Sequence, residues 1–192
     1  MSSLVEAERA TYADIWGTVP AYAAHSPGEG VLPIFLQIVG DARGHVLDAG
    51  TGSGKGAVAL SDAGFRVTLC DVTDAGLVPE AKAMPFKSAC LWSPLRPLAP
   101  TGAFDWVYCT DVLEHLPTQF TMLAVDQMLR VATRGVFISV SVMHDTFGVW
   151  AGKPLHQTVQ SFTWWKESLS EVGRVADARD LMHSASFYVV NR

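Results

Sequence analysis

The chain has 192 residues, a length that suits one domain or one domain with a short extra arm. Hydrophobic residues make up 49% of the chain and charged residues 17%, which excludes general disorder. The formal net charge is −5 and no basic run is present, so a protein that binds duplex nucleic acid is not favoured.

The three cysteines, Cys70, Cys90 and Cys109, fall in predicted strands and form no CxxC pair. We expect them to be buried, reduced thiols rather than zinc ligands or disulfides. The N-terminal segment carries acidic residues and lacks the apolar stretch of a signal peptide. No apolar run approaches the ~18–20 residues that cross a bilayer. These features predict a cytoplasmic protein without a membrane segment.

The first 40 residues are predicted to form a helical arm or lid ahead of a domain over residues 41–192. Tyr12, Trp16 and Tyr22 lie in this arm, where they would either cover a ligand or pack a helix on the edge of the sheet.

A second helix is predicted to begin at Ser26, with Ser26 and Glu29 as a capping box and Pro27 in the first turn. It would run to Gly40, shortened or kinked at Pro33.

After residue 40, buried-type strands alternate with helices, which predicts a Rossmann-like, doubly wound α/β fold with a mostly parallel seven-stranded sheet. The last two strands follow each other too closely for a helical crossover, so we expect an antiparallel pair at one edge. The predicted strands are 45–49, 65–70, 86–92, 104–109, 135–142, 174–181 and 184–190. The predicted helices are 55–62, 116–131 and 161–173, with at best a weak helix over 74–83 and a Pro-rich loop over 93–102.

A glycine-rich turn follows the first strand, in the sequence Val46-Leu47-Asp48-Ala49-Gly50-Thr51-Gly52-Ser53-Gly54. Such a turn lets a ligand approach the backbone at the carboxyl end of a strand. A phosphate-binding P-loop fits poorly, because Ala49 replaces its first glycine and Gly56 its Ser/Thr. A dinucleotide fingerprint also fits poorly, because Lys55 occupies its third glycine position. A purely structural turn remains an alternative.

The turn resembles motif I of class I S-adenosylmethionine (SAM)-dependent methyltransferases, in which an acidic residue precedes GxGxG. Asp71 follows about 20 residues later at a strand end, where it would accept hydrogen bonds from ribose hydroxyls or form a turn. The segment from Phe104 to Leu116 is similar to the FDxVxxxDVLEH segment of many small methyltransferases. The resemblance implies SAM as cofactor and S-adenosylhomocysteine (SAH) as product. The implied cofactor contacts are Asp48, Gly50, Thr51, Gly52, Gly54, Asp71, Val72, Leu91, Trp92 and Thr110.

The sequence departs from nucleic-acid enzymes of this family. It contains neither the Asn/Asp-Pro-Pro-Tyr sequence of DNA amino-methyltransferases nor the Pro-Cys dipeptide of a cytosine-C5 nucleophile. The expected acceptor is therefore a small or nucleotide-like molecule. The alternatives are a phage-type enzyme that modifies DNA or RNA, and a non-catalytic SAM-binding partner subunit.

Asp111, Glu114 and His115 follow the fourth strand, and His156 comes later, before an aromatic helix start. Spacings of three and four would place the first three on one face of a helical turn. We predict that all four line the acceptor side of the site. The set resembles small-RNA 2′-O-methyltransferases and some ubiquinone-pathway enzymes, in which similar residues hold a divalent ion. A metal is a less favoured alternative to a base, a substrate contact or a purely structural role for Glu114 and His115.

Overall fold

The computed structural model describes residues 2–24, 26–93 and 98–192. Seven helices occur in these ranges: α1 Ser2–Thr18, α2 Pro20–Ala24, α3 Pro27–Val39, α4 Lys55–Asp62, α5 Thr118–Val131, α6 Gly148–Ala151 and α7 Phe162–Val172. The seven strands are β1 His45–Ala49, β2 Arg66–Asp71, β3 Phe86–Ser88, β4 Phe104–Thr110, β5 Ala132–Ser141, β6 Arg174–Asp180 and β7 Ser184–Val190. Short 3₁₀ turns occur at Ala81–Ala83 and Leu113–His115.

The strands form one sheet in the order β3-β2-β1-β4-β5-β7-β6. The first five are parallel, whereas β7 pairs antiparallel with both β5 and β6. This arrangement confirms the predicted mixed sheet and its antiparallel edge pair. The order reverses direction at β1 and β4, so the loops that leave these two strands flank the crevice where doubly wound sheets bind ligands.

The sheet is covered on both faces, because alternate residues of β4 enter two different hydrophobic clusters. Val107 and Cys109 pack in a cluster with Met128 of α5 and Trp165 of α7. Trp106 and Tyr108 belong to a second cluster, which contains Phe35 of α3 and Leu60 of α4. Since α3 contributes to this second core, it is part of the sheet's packing, while the predicted boundary at residue 40 stays a prediction.

A third, smaller cluster lies apart from these two cores. It consists of Ile15, Val19 and Leu155, with Tyr22, Phe147 and Ala151 packed against it. Its members come from α1, α2, α6 and the adjoining loops. We call this set of elements the roof, and the loops at the carboxyl ends of β1 and β2 the floor.

Several local predictions are wrong. Ser26 makes no side-chain capping bond, although α3 does have Pro27 in its first turn and ends just before Gly40, as predicted, and Pro33 does not shorten it. The third strand stops at Ser88, because the chain turns at residues 89–93 and carries Leu91 and Trp92 into the core. The segment 74–83 contains only a 3₁₀ turn.

Other local predictions are confirmed. Ser161 caps α7 by accepting a hydrogen bond from the Trp164 amide at 3.2 Å. The three cysteines are free, and Cys70 and Cys109 are buried in strands as expected, whereas Cys90 lies beyond the end of β3 and is only partly buried. Residues 94–97 of the predicted Pro-rich loop lie outside the described residues. Among the helices described, none combines the length and the apolar character that a membrane span requires.

Candidate active site

A cavity of about 340 Å³ opens between the floor and the roof, a size typical of small-molecule sites. It lies at the carboxyl edge of the parallel strands, as predicted for a ligand site of this fold. Of the predicted site residues, those that line it are Asp48, Gly50, Thr51, Gly52, Asp71, Val72, Leu91, Trp92, Thr110, Asp111, His115 and His156. Gly54 and Glu114 do not line it.

The glycine turn is fixed to the neighbouring strand by its backbone. The amides of Gly50 and Thr51 both donate to the Cys70 carbonyl, at 2.7 and 3.1 Å. Gly54 has a φ of 77°, and a Cβ there would lie 2.4 Å from the Ala81 side chain. Gly54 therefore shapes the turn by allowing this close approach, although it does not face the cavity.

Asp48 is the second-last residue of β1, and its side chain is buried in the floor, at 3% exposure. The Thr51 hydroxyl donates to Asp48 Oδ2 at 2.5 Å. Burial raises the pKa of Asp48 to about 7, while the Thr51 hydrogen bond opposes this shift and the nearby Asp71 adds to it. Asp48 thus ties the end of β1 to the start of the glycine turn.

Asp71 connects the glycine turn to the loop after β2. Its Oδ2 accepts the Gly52 amide at 2.9 Å and its Oδ1 accepts the Val72 amide at 2.6 Å. Burial raises the pKa of Asp71, and its backbone hydrogen bonds lower it in part. A carboxylate oxygen has a second lone pair, so this turn-forming role leaves capacity to accept a ligand hydroxyl.

Asp111 follows β4 in a conformation that non-glycine residues rarely adopt, with a φ of 51°. Its amide donates to the Ser139 carbonyl at 2.9 Å, and the Ser139 hydroxyl donates to Asp111 Oδ1 at 3.4 Å. Such conformations persist where the surrounding structure enforces them, and they cluster at functional sites.

Glu114 does not line the cavity and is fully buried. The Ser141 amide donates to its Oε1 at 2.7 Å, whereas Oε2 has no hydrogen-bond partner among the described residues. Burial, and then the charge of Asp111, raise the pKa of Glu114 well above its usual range. The predicted helical turn over Asp111, Glu114 and His115 is wrong, since only Leu113–His115 form a 3₁₀ turn.

The His115 and His156 rings meet edge to face, with centroids 4.7 Å apart. Burial and the neighbouring His156 lower the pKa of His115 to about 3, so its imidazole is neutral at pH 7. Nδ1 of His115 lies 2.9 Å from the Tyr12 hydroxyl, and Nδ1 of His156 lies 2.7 Å from the Met143 carbonyl.

Glu114, His115 and His156 each offer one ligand atom, and these atoms lie within 4.8 Å of one another. One carboxylate and two imidazoles form a donor set that suits manganese, iron or zinc. The unpartnered, buried Oε2 of Glu114 is consistent with such an ion. Asp111 does not belong to this group, although it was predicted together with the other three residues.

Sequence reasoning missed part of the acceptor side. Asp145 lies in the loop after β5, where its Oδ2 accepts the Leu155 and His156 amides at 2.7 and 3.1 Å. Phe147 lines the cavity next to Tyr22, with ring centroids 5.4 Å apart. The position of Asp145 just beyond a parallel strand was the available signal, because polar residues at such ends face the ligand crevice.

The sequence matches a family model described as a methyltransferase domain over residues 22–185. Among proteins with curated functional descriptions, none matches this chain.

Solved structures share the fold. A 1,6-didemethyltoxoflavin-N1-methyltransferase from Burkholderia thailandensis, with 1,6-didemethyltoxoflavin and SAH bound, is similar with a TM-score of 0.71 and 17% identity. The match covers 100% of this chain and 88% of that one. Magnesium protoporphyrin IX methyltransferase from Synechocystis PCC 6803 with bound SAM has a TM-score of 0.63 and 19% identity, covering 86% and 78%.

A third similar structure is a putative methyltransferase from Haloferax volcanii in complex with the Trm112 methyltransferase activator. It has a TM-score of 0.62 and 15% identity, over 90% of this chain and 97% of that one. These identities show the fold, while the family model covers most of the sequence. The chain belongs to the methyltransferase-domain family, which confirms the resemblance seen in its motifs.

Proposed function

We propose that the protein transfers a methyl group from SAM to a small-molecule acceptor and releases SAH. The observation that carries this proposal is one cavity that joins the glycine turn and Asp71 on one side to Asp111, His115 and His156 on the other. The first side has the elements with which the family holds its cofactor. The second side supplies polar groups within the same enclosure.

We assign the cofactor to the floor. The glycine turn would accommodate the methionine part of SAM, and Asp71 would accept hydrogen bonds from the ribose hydroxyls. Leu91 and Trp92 line the cavity beyond Asp71 and would contact the adenine. The two solved relatives that contain SAM or SAH support the choice of cofactor.

The acceptor would lie under the roof, against aromatic side chains. Trp16 and Tyr22 meet edge to face at 4.8 Å, and Phe147 continues the row beyond Tyr22. Aromatic walls favour flat, apolar ring systems, while polar groups at a few points fix the orientation of the ligand. The proposed acceptor is therefore a planar small molecule with a hydroxyl or N–H group at its edge.

The transfer itself needs positioning above all, because the sulfonium already activates the methyl group. The bond from sulfur to methyl carbon breaks as the acceptor atom forms its own bond to that carbon, and the acceptor's proton would pass to the Asp111 carboxylate, which lines the cavity. Asp111, His115 and His156 would hold the acceptor's polar edge. Since His115 is neutral, it is able to accept the hydrogen bond that orients the acceptor lone pair.

A second candidate role for this side of the cavity is the binding of a divalent ion, which is favoured by the unpartnered Oε2 of Glu114. Glu114, His115 and His156 would hold it. A bound ion would supply Lewis acidity that lowers the pKa of an acceptor hydroxyl. The residues keep their positions in either case: His156 is oriented by the Met143 carbonyl and His115 by Tyr12.

Two measurements test the proposal. Titration calorimetry should detect SAH binding to the purified chain, and a nicotinamide dinucleotide should give no heat. A methyl-release assay with labelled SAM should then find turnover with a pool of aromatic metabolites. Turnover on DNA or RNA alone would contradict the small-molecule acceptor. SAH binding without turnover on any pool would indicate a non-catalytic, SAM-binding subunit.

A further inference from the structure

Helix α1 lies across the cavity and contacts both of its sides. Glu8, Tyr12 and Trp16 are spaced by four residues, so they share one face of the helix, and all three line the cavity. Arg9 fastens the helix to the floor, since its Nε donates to the Val72 carbonyl at 2.9 Å.

The Trp16 end of this face rests on the cofactor side. A Cβ on Gly52 would lie 3.0 Å from the Trp16 ring, and a Cβ on Gly76 would lie 2.4 Å from it. The indole is therefore in close contact with the backbone of the glycine turn. A ligand bound at this turn has to fit beside the Trp16 ring.

The Tyr12 end of the same face rests on the acceptor side. The Tyr12 hydroxyl is 2.9 Å from Nδ1 of His115, and the two rings meet edge to face with centroids 5.9 Å apart. A histidine ring has a broad, roughly two-fold preference about its last torsion, so a hydrogen bond to one nitrogen selects one orientation. Tyr12 contributes to this selection from the roof, alongside the Leu155 backbone, which also hydrogen-bonds to His115.

We propose that Tyr12 is a positioning residue for His115, and that α1 transmits the occupancy of the glycine turn, through Trp16, to the His115 ring. This proposal rests on the proposed function, in which the turn holds the cofactor and His115 faces the acceptor. The consequence is an order of events: the acceptor side takes its working geometry when the cofactor lies under α1.

Histidine ring signals test the contact without any acceptor. The chain has six histidines, so the full-length protein labelled with ¹⁵N-histidine should give few long-range ¹H–¹⁵N ring signals. The His115 signals are those lost in His115→Gln. In Tyr12→Phe they should move to shifts that average two ring orientations. Loss of one hydrogen bond should change the ratio of orientations by about two- to tenfold.

Tyr188→Phe is the matched control. The Tyr188 hydroxyl donates to the Arg134 carbonyl at 3.0 Å and does not line the cavity. Tyr188→Phe removes a hydroxyl group, as Tyr12→Phe does, but at a position outside the cavity. The His115 signals of Tyr188→Phe should therefore match those of the unmodified protein. His115 signals that are identical in Tyr12→Phe and in the unmodified protein would overturn the positioning role.

SAH is the probe for transmission along the helix. Adding SAH should shift the His115 signals of the unmodified protein by more than those of Tyr12→Phe and of Trp16→Leu. Equal shifts in all three proteins would show that SAH affects His115 directly and would overturn the transmission. If calorimetry finds no SAH binding, the proposed function fails and transmission fails with it, while the spectra without SAH still decide the role of Tyr12.

Discussion

The floor and the roof of the cavity are held together in different ways. The floor is tied by backbone hydrogen bonds and by carboxylates within one stretch of sequence, such as Asp71 with the Gly52 and Val72 amides. The roof depends on side chains from distant segments, with Ile15, Val19 and Leu155 as its small core. The comparison indicates that the cofactor side is preformed, whereas the acceptor side is assembled by tertiary contacts.

The largest difference between the two regions should appear in matched glycine substitutions. Gly54→Ala places a Cβ 2.4 Å from the Ala81 side chain at a φ of 77°. Left-handed strain and overpacking each cost about 1–3 kcal/mol, so the free energy of unfolding should fall by ~2–6 kcal/mol. Denaturant unfolding measures this loss.

Gly17→Ala is the counterpart in the roof, because nothing lies within 4 Å of a Cβ at this helical position. It should raise the free energy of unfolding by roughly 0.5–1 kcal/mol. Equal losses in Gly17→Ala and Gly54→Ala would contradict the distinction between a tightly packed floor and an open position in α1.

The second prediction concerns Asp71, which joins two parts of the floor. Asp71→Ala leaves the Gly52 and Val72 amides without their acceptor, so stability should fall by about 1–3 kcal/mol. SAH affinity, measured by calorimetry, should fall by a similar ~1–3 kcal/mol through the lost ribose contact. Asp74→Ala, at a nearby exposed position, is the control. Unchanged SAH affinity together with lowered stability would reduce Asp71 to a structural role.

The third prediction sharpens the description of the floor through pH. The pKa of Asp48 is raised to about 7 in the folded state, so folding takes up a proton that the unfolded chain releases near pH 4. This contribution to stability is fully present below pH ~4 and is lost as pH rises through about 7. Asp48→Asn removes it, so the unfolding free energy of the variant relative to the unmodified protein should rise by up to ~1.4 kcal/mol per pH unit across this window. A difference that is constant from pH 4 to 7 would contradict the raised pKa.

The difference between the floor and the roof also explains which parts of the site could be predicted from the sequence. The residues of the floor could be predicted from the sequence, because Asp48, the glycine turn and Asp71 are short-range features of a strand–turn–helix unit. Tyr12 was predicted to cover a ligand or to pack on the sheet edge, but neither its contact with His115 nor the presence of Phe147 in the site was predicted, because both depend on how α1 and the loop after β5 close over the sheet. The third strand was predicted to be longer than it is, because an apolar run that ends at Trp92 is compatible with a buried turn as well as with a strand.

Glu114 was misplaced for a related reason. A spacing of three residues from Asp111 suggests a shared helical face, but the positive φ of Asp111 prevents a regular helix from starting there. The spacing therefore indicated which residues lie near one another, and tertiary structure decided which of them face the cavity.

The last prediction has the smallest expected effect on stability and concerns Glu114, which is buried next to His115 and His156 between the floor and the roof. Glu114→Gln keeps the size of the side chain, and the raised pKa of Glu114 favours its neutral form in the fold. The free energy of unfolding at pH 6 should therefore change by less than ~1 kcal/mol in protein stripped of metal.

Binding of Co²⁺ should respond differently to Glu114→Gln, because a neutral amide is a poorer ligand than a carboxylate. If Glu114, His115 and His156 form a cation site, the unmodified protein should bind one equivalent, seen as visible absorption, and Glu114→Gln should lose it. His144→Gln is the control, since His144 lines the cavity but lies outside the group of three ligands. Co²⁺ absorption that survives Glu114→Gln and disappears in His144→Gln would place the ion elsewhere in the cavity. If the unmodified protein binds no Co²⁺, Glu114 has a structural role, in which its neutral carboxyl group accepts the Ser141 amide. His115 and His156 would then contact the methyl acceptor without a metal ion.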